Sequence, residues 1–325
     1  VNFRRLSAVT CATAAALACT LSLSVQAQTW PTKPIRLVVP FSAGGANDLM
    51  ARAAAEGASK QLGQPVIIDN KPGAGAILGA DVVAKSAPDG YTFLVSAAGV
   101  VSNSMIKKNM PYKDEALVPV AMIALAPSVV VVPANAPYKD LKEFVAASKK
   151  AGNGFHWATA GTGSTPHFVE GILETKYGSK LDVVPYKSGS ESITAVLGNQ
   201  VEATSEASIV VLPYIKSGKL KALAGTWTQR ISAYPELPTA AEEGFPEIRI
   251  AHWAGVHAPR GTPDAILDKM AAAIDAAMKS PETAKRLKDM GIEPIGGTRA
   301  SFTKFVDEER ARLGGVVKAT GMKED

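Results

Sequence analysis

The feature that most constrains this chain is an alternation of short apolar runs with helix-forming stretches. Ile35-Arg36-Leu37-Val38-Val39 reads as a buried strand. Asn47 to Leu62 is rich in alanine and other helix formers and stops at Gly63, which suits a left-handed C′ position. Val66-Ile67-Ile68 is the next strand, Ile77 to Lys85 the next helix, and Thr92 to Val95 a third strand. Val129 to Val132 is another buried run, and Leu141, Phe144 and Val145 form one face of a helix ending near Gly152. Phe155 to Thr159, Val183-Val184 and Leu220 to Ala224 read as strands, with a helix from Ser192 to Leu197 among them. Thr262-Pro263 reads as a cap followed by proline at the first helical position, and Ile266, Met270 and Ile274 then recur along a core-facing stripe. Ser280-Pro281 opens a further helix that Gly291 follows.

Strands alternating with helices predict an α/β architecture with mostly parallel sheets. A single core stops growing at roughly 250–300 residues, so two lobes are expected of a chain of this length. Pro127 and Pro133 flank one crossing between them, and Ile248 to Val256 carries the return. The expected division is a first lobe over 28–128, a second over 129–250 and a segment returning to the first over 251–325.

The N-terminus has its own pattern. Arg4-Arg5 precedes an apolar stretch from Leu6 to Val25, which ends Val25-Gln26-Ala27. That is the form of a secretory signal peptide over 1–27, cleaved after Ala27 so that Gln28 leads the mature chain. A retained membrane anchor is the alternative, but the stretch is rich in Ala, Ser and Thr and lacks a basic stop-transfer flank. Lipidation at Cys19 is weakly supported, because Leu17 stands one place too close to it. Cleavage removes Cys11 and Cys19, the only cysteines, and with them any disulfide, thiolate nucleophile or cysteine metal ligand. Of the whole sequence 46% is hydrophobic and 20% charged, which excludes a coiled-coil rod, a collagen-like repeat and long disorder. The net charge of +5 comes without a dense basic run interleaved with aromatics, so nucleic acid is not an expected partner.

Two turns carry the chemistry. The first, Pro40-Phe41-Ser42-Ala43-Gly44-Gly45-Ala46-Asn47-Asp48, runs from a strand into a helix. Free backbone N–H groups and the dipole at a helix N-terminus favour an anion, and small residues let a ligand approach the backbone. A tight packing turn explains the same pattern equally well. The second, Ala160-Gly161-Thr162-Gly163-Ser164-Thr165-Pro166-His167, has the same build in the other half of the chain. Two such turns facing one another across a cleft would each hold one end of an anionic molecule. Gly73-Ala74-Gly75-Ala76-Ile77-Leu78-Gly79 imitates a dinucleotide fingerprint but has one residue too many before its last glycine. There is no HExxH zinc motif and no GxSxG elbow. Ser164 beside His167 suggests a nucleophile and base, as in an exported hydrolase, but no orienting carboxylate accompanies them.

With these turns go further ordered blocks: Trp30-Pro31-Thr32-Lys33-Pro34-Ile35, Asn70-Lys71-Pro72-Gly73-Ala74-Gly75, Ala87-Pro88-Asp89-Gly90-Tyr91-Thr92, Val184-Pro185-Tyr186-Lys187, Leu197-Gly198-Asn199-Gln200-Val201-Glu202, Gly218-Lys219-Leu220, Ala258-Pro259-Arg260-Gly261-Thr262-Pro263 and Glu293-Pro294-Ile295-Gly296-Gly297-Thr298. In them the chain resembles the Bug-type solute receptors of tripartite tricarboxylate transporters over nearly the whole mature sequence. The resemblance implies a two-lobed periplasmic binding protein fold that closes on its ligand like a flytrap. It also implies a periplasmic location and no catalysis. No cofactor or metal is expected. The expected partners are a small carboxylate and the membrane subunits of a transporter, or a sensor, with the receptor itself a monomer. A carboxylate would be held by the two Gly-rich turns with ordered water, and the Gly73 to Gly79 run becomes a structural feature of the family. The expected ligand contacts are Phe41, Ser42, Ala43, Gly44, Gly45, Asn47 and Asp48 from the first turn, Ala160, Gly161, Thr162, Gly163, Ser164, Thr165 and His167 from the second, and Ser205 and Glu206. The sequence departs from the family pattern at His156-Trp157-Ala158-Thr159, where Asn-Tyr-Ala-Ser is usual, and at Glu202 to Glu206, where Glu206 replaces a shorter Asp and Ser205 an aromatic residue. Either Glu206 faces a hydroxyl, amino or amide group of the ligand, or it points away as a surface residue. Trp157 and His156 are the next candidates for selectivity.

Overall fold

The computed structural model describes residues 30–324 apart from 152, 153 and 187. The expected signal segment over 1–27, its expected cleavage site and both cysteines lie outside the described residues, as does Gly152. The chain divides after Thr32, and Lys33–Asp325 packs as one compact unit. Its elements follow in the order β1 (Ile35–Val39), α1 (Ala46–Leu62), β2 (Val66–Asn70), α2 (Ile77–Ala84), β3 (Thr92–Ser96), α3 (Ala98–Ile106) and β4 (Leu117–Pro133). Then come α4 (Leu141–Lys150), β5 (His156–Thr159), α5 (Thr165–Tyr177), β6 (Asp182–Pro185), α6 (Gly189–Leu197), β7 (Ala203–Ala207), α7 (Ser208–Lys216) and β8 (Leu220–Gly225). The chain finishes with β9 (Ala251–Pro259), α8 (Asp264–Lys279), α9 (Pro281–Asp289), β10 (Glu293–Pro294) and α10 (Arg299–Thr320).

The punctuation read from the sequence holds at most boundaries. Gly63 ends α1 in the left-handed conformation, φ 67°, and its N–H reaches the Ser59 carbonyl. Ser280 caps α9 with Pro281 in the first turn. The helix expected from Pro263 starts one residue later, with Pro263 as the N-cap in extended conformation. The sequence pattern does not predict α3, β7, α7, β10, α10, the full length of β4, or a strand at β9, whose segment it gives only as the return crossing.

Pairing is parallel at the two ends of the sheet and antiparallel in the middle, rather than mostly parallel throughout. β1 lies between β2 and β3, parallel to both, and β5 lies between β6 and β7, parallel to both. β4 and β9 join these ends. Leu117 to Pro127 of β4 pairs antiparallel with β9, and Ser128 to Pro133 pairs antiparallel with β7 and β8. The physical reason is the length of β4: one strand of 17 residues crosses from one half to the other, β9 returns alongside it, and adjacent crossings in opposite senses must pair antiparallel.

Both faces of the sheet are covered by helices, as a parallel end requires. Val130 and Val132 face Phe144, Trp157, Phe168 and Leu173. Val129 and Val131 face Ile193, Val196, Val211 and Leu212 on the other side. The two-residue alternation of a strand thus splits one apolar run between two cores. All four valines are fully buried, each contributing roughly 1.5–3 kcal/mol relative to exposure. In the other half Val38 and Leu94 pack against Ile77, Ala80 and Val100, while Met122 and Trp253 pack against Phe302 and Val306. Among the described residues no helix is long and apolar enough to cross a membrane.

Candidate functional site

In a β–α unit the strand ends where the next helix begins, so the C-terminal ends of the strands gather helix N-termini. Here they gather around a cavity of about 350 Å³. Its wall is built from the segments after β1 (Pro40 to Gly45), β2 (Pro72 to Ala76), β3 (Ala97 to Gly99), β5 (Ala160 to Pro166) and β6 (Ser188 to Ser190). Asn103 of α3, Glu206 near the end of β7, Val210 of α7, and His252 and Trp253 of β9 also line it.

The two turns singled out in the sequence do face this common cavity. Phe41, Ser42, Ala43, Gly45 and Asn47 line it from one side, and Ala160, Thr162, Gly163, Ser164 and Thr165 from the other, together with Glu206. Gly44, Asp48, Gly161, His167 and Ser205 are not on the wall. Gly44 has φ +80°, which turns the chain, and its N–H donates to Asp48 Oδ2 at 2.9 Å. Asp48 also accepts from Arg52 Nε at 2.8 Å and Asn70 Nδ2 at 2.9 Å. Burial alone would raise the Asp48 pKa, but the bonds from Arg52, Gly44 and Asn70 outweigh it and hold the carboxyl below its ordinary range. The Asn47 amide donates to the Trp253 carbonyl at 2.8 Å, fastening the first turn to β9. His156 and Trp157 are also off the wall. Trp157 is fully buried with Nε1–H on the Pro166 carbonyl, and His156 lies against Glu202.

The Gly45, Ala97 and Ser164 N-caps of α1, α3 and α5 place no side-chain oxygen on the first-turn N–H groups. At α6 the Ser188 hydroxyl accepts from the Glu191 N–H. Helix N-termini aimed at one space make a concentrated region of partial positive charge. Among the described residues that line the cavity there is no Lys or Arg. Such a wall is suited to hold an anion through N–H groups rather than through ion pairs.

Ser164 and His167 do not form a nucleophile and base. The Ser164 hydroxyl donates to the Gly161 carbonyl at 2.6 Å, and His167 Nδ1 accepts from the Gly163 N–H at 3.3 Å. Burial lowers the His167 pKa.

At the β7 end, Glu206 is 4% exposed and is not a surface residue. Its Oε2 lies 3.8 Å from His252 Nε2, which is 3.4 Å from Ser128 Oγ. Burial pushes the Glu206 pKa up to about 8, the Ala207 backbone N–H working the other way, and burial pushes His252 down to about 4.

Sequence reasoning missed the segments after β2, β3 and β6 and the two β9 residues. The rule that flagged the first two turns applies equally to Ala97-Ala98-Gly99 and Ser188-Gly189-Ser190, which also sit between a strand and a helix. For His252 and Trp253 no local signal exists, since only the pairing of β9 with β4 brings them to the cavity.

Known proteins resemble this chain along most of its length. The model of the "tripartite tricarboxylate transporter family receptor" matches residues 50–322. BugT of Bordetella pertussis (strain Tohama I) is 35% identical over 306 residues, spanning 93% of this chain and 94% of BugT. The solved structure of the periplasmic binding protein BugD superposes with a TM-score of 0.82 at 30% identity, covering 91% of this chain and all of BugD. A solved R. palustris protein with adipate superposes with a TM-score of 0.84 at 31% identity, covering 90% of this chain and 98% of that one. The α/β periplasmic binding protein fold expected from the sequence is thereby established.

Proposed function

Because the chain belongs to the tripartite tricarboxylate transporter family of receptors, we propose that it captures a small organic carboxylate in the 350 Å³ cavity and delivers it, unchanged, to membrane transporter subunits. The observation that carries this reading is the convergence of the N-termini of α1, α3, α5 and α6 on one space whose described wall has no cationic side chain. The family's receptors, including one solved with adipate, set the class of ligand. The periplasm is the proposed location and 1–27 the proposed export signal. The proposed lobes are 28–128 with 251–325, and 129–250. The change of β4 pairing partners between Pro127 and Ser128 supports that boundary. The cavity draws its walls from both, so a ligand touching both favours a closed form.

A thermal-shift screen of mono-, di- and tricarboxylates, followed by calorimetry, tests this. A ligand confined to the folded state adds about 2.7 kcal/mol of stability at a hundredfold excess over its dissociation constant. Mass spectrometry of the recovered ligand then separates a receptor from an enzyme. A panel with no stabilising carboxylate, or a ligand returned chemically altered, defeats the reading.

A further inference from the structure

Glu206 belongs to this cavity in a way that receptor function alone does not require. It lies one residue from the end of β7, opposite Val129 of β4. Its Oε1 is buried without a hydrogen-bond partner among the described residues. On α6, Gly189 makes room for the carboxyl group: a Cβ there would fall 2.6 Å from Glu206 Oε2 and 2.7 Å from Oε1. Around it β4 presents Ser128, α6 presents Gly189 and Ser190 with the charged Glu191 exposed, and α7 presents Val210. The titratable group within 4 Å is His252 of β9, itself buried.

An ionised carboxylate buried without a cation and with one oxygen unpaired is costly, whereas the acid form carries no charge and gains an O–H donor. An acceptor on a bound ligand would satisfy that donor. A second carboxylate is the strongest such acceptor, because a hydrogen bond to an ionised oxygen is roughly twice as strong as a neutral one. We propose that Glu206 works as a neutral hydrogen-bond donor at the β7 end of the cavity and selects acids that carry a second carboxylate. This rests on the receptor reading above. The helix N-termini hold one carboxylate and Glu206 receives the other. The raised pKa, about 8, agrees with the geometry.

The test is calorimetry on the purified protein between pH 6.5 and 9.5 with two matched pairs, adipate against hexanoate and succinate against butyrate. From pH 7 upward these acids are almost fully ionised, so the ligands' own titration adds little to the slope read between pH 7 and 9. The donor is present below its pKa and lost above it, so wild-type affinity for the dicarboxylates falls about tenfold from pH 7 to pH 9 while any monocarboxylate binding stays flat. Glu206→Gln keeps an N–H donor, so it retains the dicarboxylate preference and loses the pH slope. Glu206→Ala loses the preference. Dicarboxylate affinity that is flat with pH in the wild type, or a slope that survives in Glu206→Gln, overturns the proposal. The wild-type titration decides even where a variant folds poorly. A wild type that binds only the monocarboxylates removes the role of Glu206 and leaves the receptor standing. One that binds no carboxylate removes both.

Discussion

The Asp48 carboxylate accepts a hydrogen bond from the Asn70 side-chain amide at 2.9 Å, fastening the first turn of α1 to the last residue of β2. The same amide donates to the Phe41 carbonyl at 3.1 Å, and Asp48 holds the Gly44 N–H, so the loop on the cavity wall is set by residues behind it. Asp48, expected from the sequence as a ligand contact, is the post on which that loop hangs.

Asp48→Ala leaves the Gly44 N–H, the Asn70 amide and the Arg52 guanidinium without this partner. A loss of about 1–3 kcal/mol is expected in urea unfolding at neutral pH. The folded-state pKa of Asp48 lies below its ordinary value, so its contribution is complete above the unfolded pKa and disappears as pH falls through the folded one. The difference between wild type and variant is therefore constant from about pH 5 to 8 and shrinks below about pH 4. A difference that grows on acidification contradicts the assignment.

Two buried glutamates act in the opposite sense. Burial pushes Glu170 on α5 up to about 8, with the Glu174 charge adding to it, and burial pushes Glu206 to about 8. Between the unfolded pKa and about 8 the folded state binds more protons than the unfolded one, so their contribution to stability falls as pH rises through that window and is level above it. Glu170→Gln should flatten the wild-type slope between pH 5 and 8 and melt higher than wild type at pH 8. Parallel pH profiles for the two proteins would show that Glu170 ionises as it does in the unfolded chain.

Gly45 and Gly163 lie on opposite turns but should respond differently to a side chain. Gly45 has φ −76°, and an added Cβ would meet the Ser42 carbonyl at an ordinary 3.4 Å. Gly45→Val should fold at a cost of about 1 kcal/mol or less yet bind carboxylate at least tenfold more weakly, about 1.4 kcal/mol. Gly163 has φ +75°, and an added Cβ would lie 2.8 Å from Ile106 Cδ1. Gly163→Ala should lose about 1–2 kcal/mol of stability from backbone strain alone. Calorimetry and melting of both variants check this, and unchanged affinity in a folded Gly45→Val refutes close backbone approach at that turn.

Trp253 offers an optical readout. It is buried beside the cavity, its Nε1–H donates to Glu309 Oε2 at 3.2 Å, and its carbonyl takes the Asn47 amide. Ligand binding should change its emission, with Trp157, off the cavity wall, contributing a constant background. Trp253→Phe should remove most of the change while binding persists by calorimetry. A full fluorescence response in that variant would place the reporter elsewhere.

Much of the fold was legible because local chemistry wrote it. Gly63, Ser280-Pro281 and the valines of residues 129–132 each act through their own backbone preference or burial, and the elements they announce are present. α3 was not legible, because Ala98 to Ile106 is apolar on most sides and buried between neighbours, leaving no amphipathic stripe to read. β4 was read as four residues and runs for 17, since two prolines and a bulged register with β9 interrupt the pattern that a continuous strand would show.

The sequence by itself determined the alternation of strands and helices over much of the chain, the two glycine-rich turns and their placement ahead of helix N-termini, because each depends on residues within a few positions of one another. Only the tertiary structure decided which turn residues face the cavity, that Asp48 and His167 face away from it, and that Glu206 is buried against Gly189 and His252. The relations of Glu206 join it to Gly189, 17 positions away, and to His252, 46 positions away, through strand pairing and the packing of α6 on β7. A side chain's environment, and with it the protonation of Glu206, is set by the low-polarity surroundings that such long-range contacts create, and no local pattern in the chain encodes it.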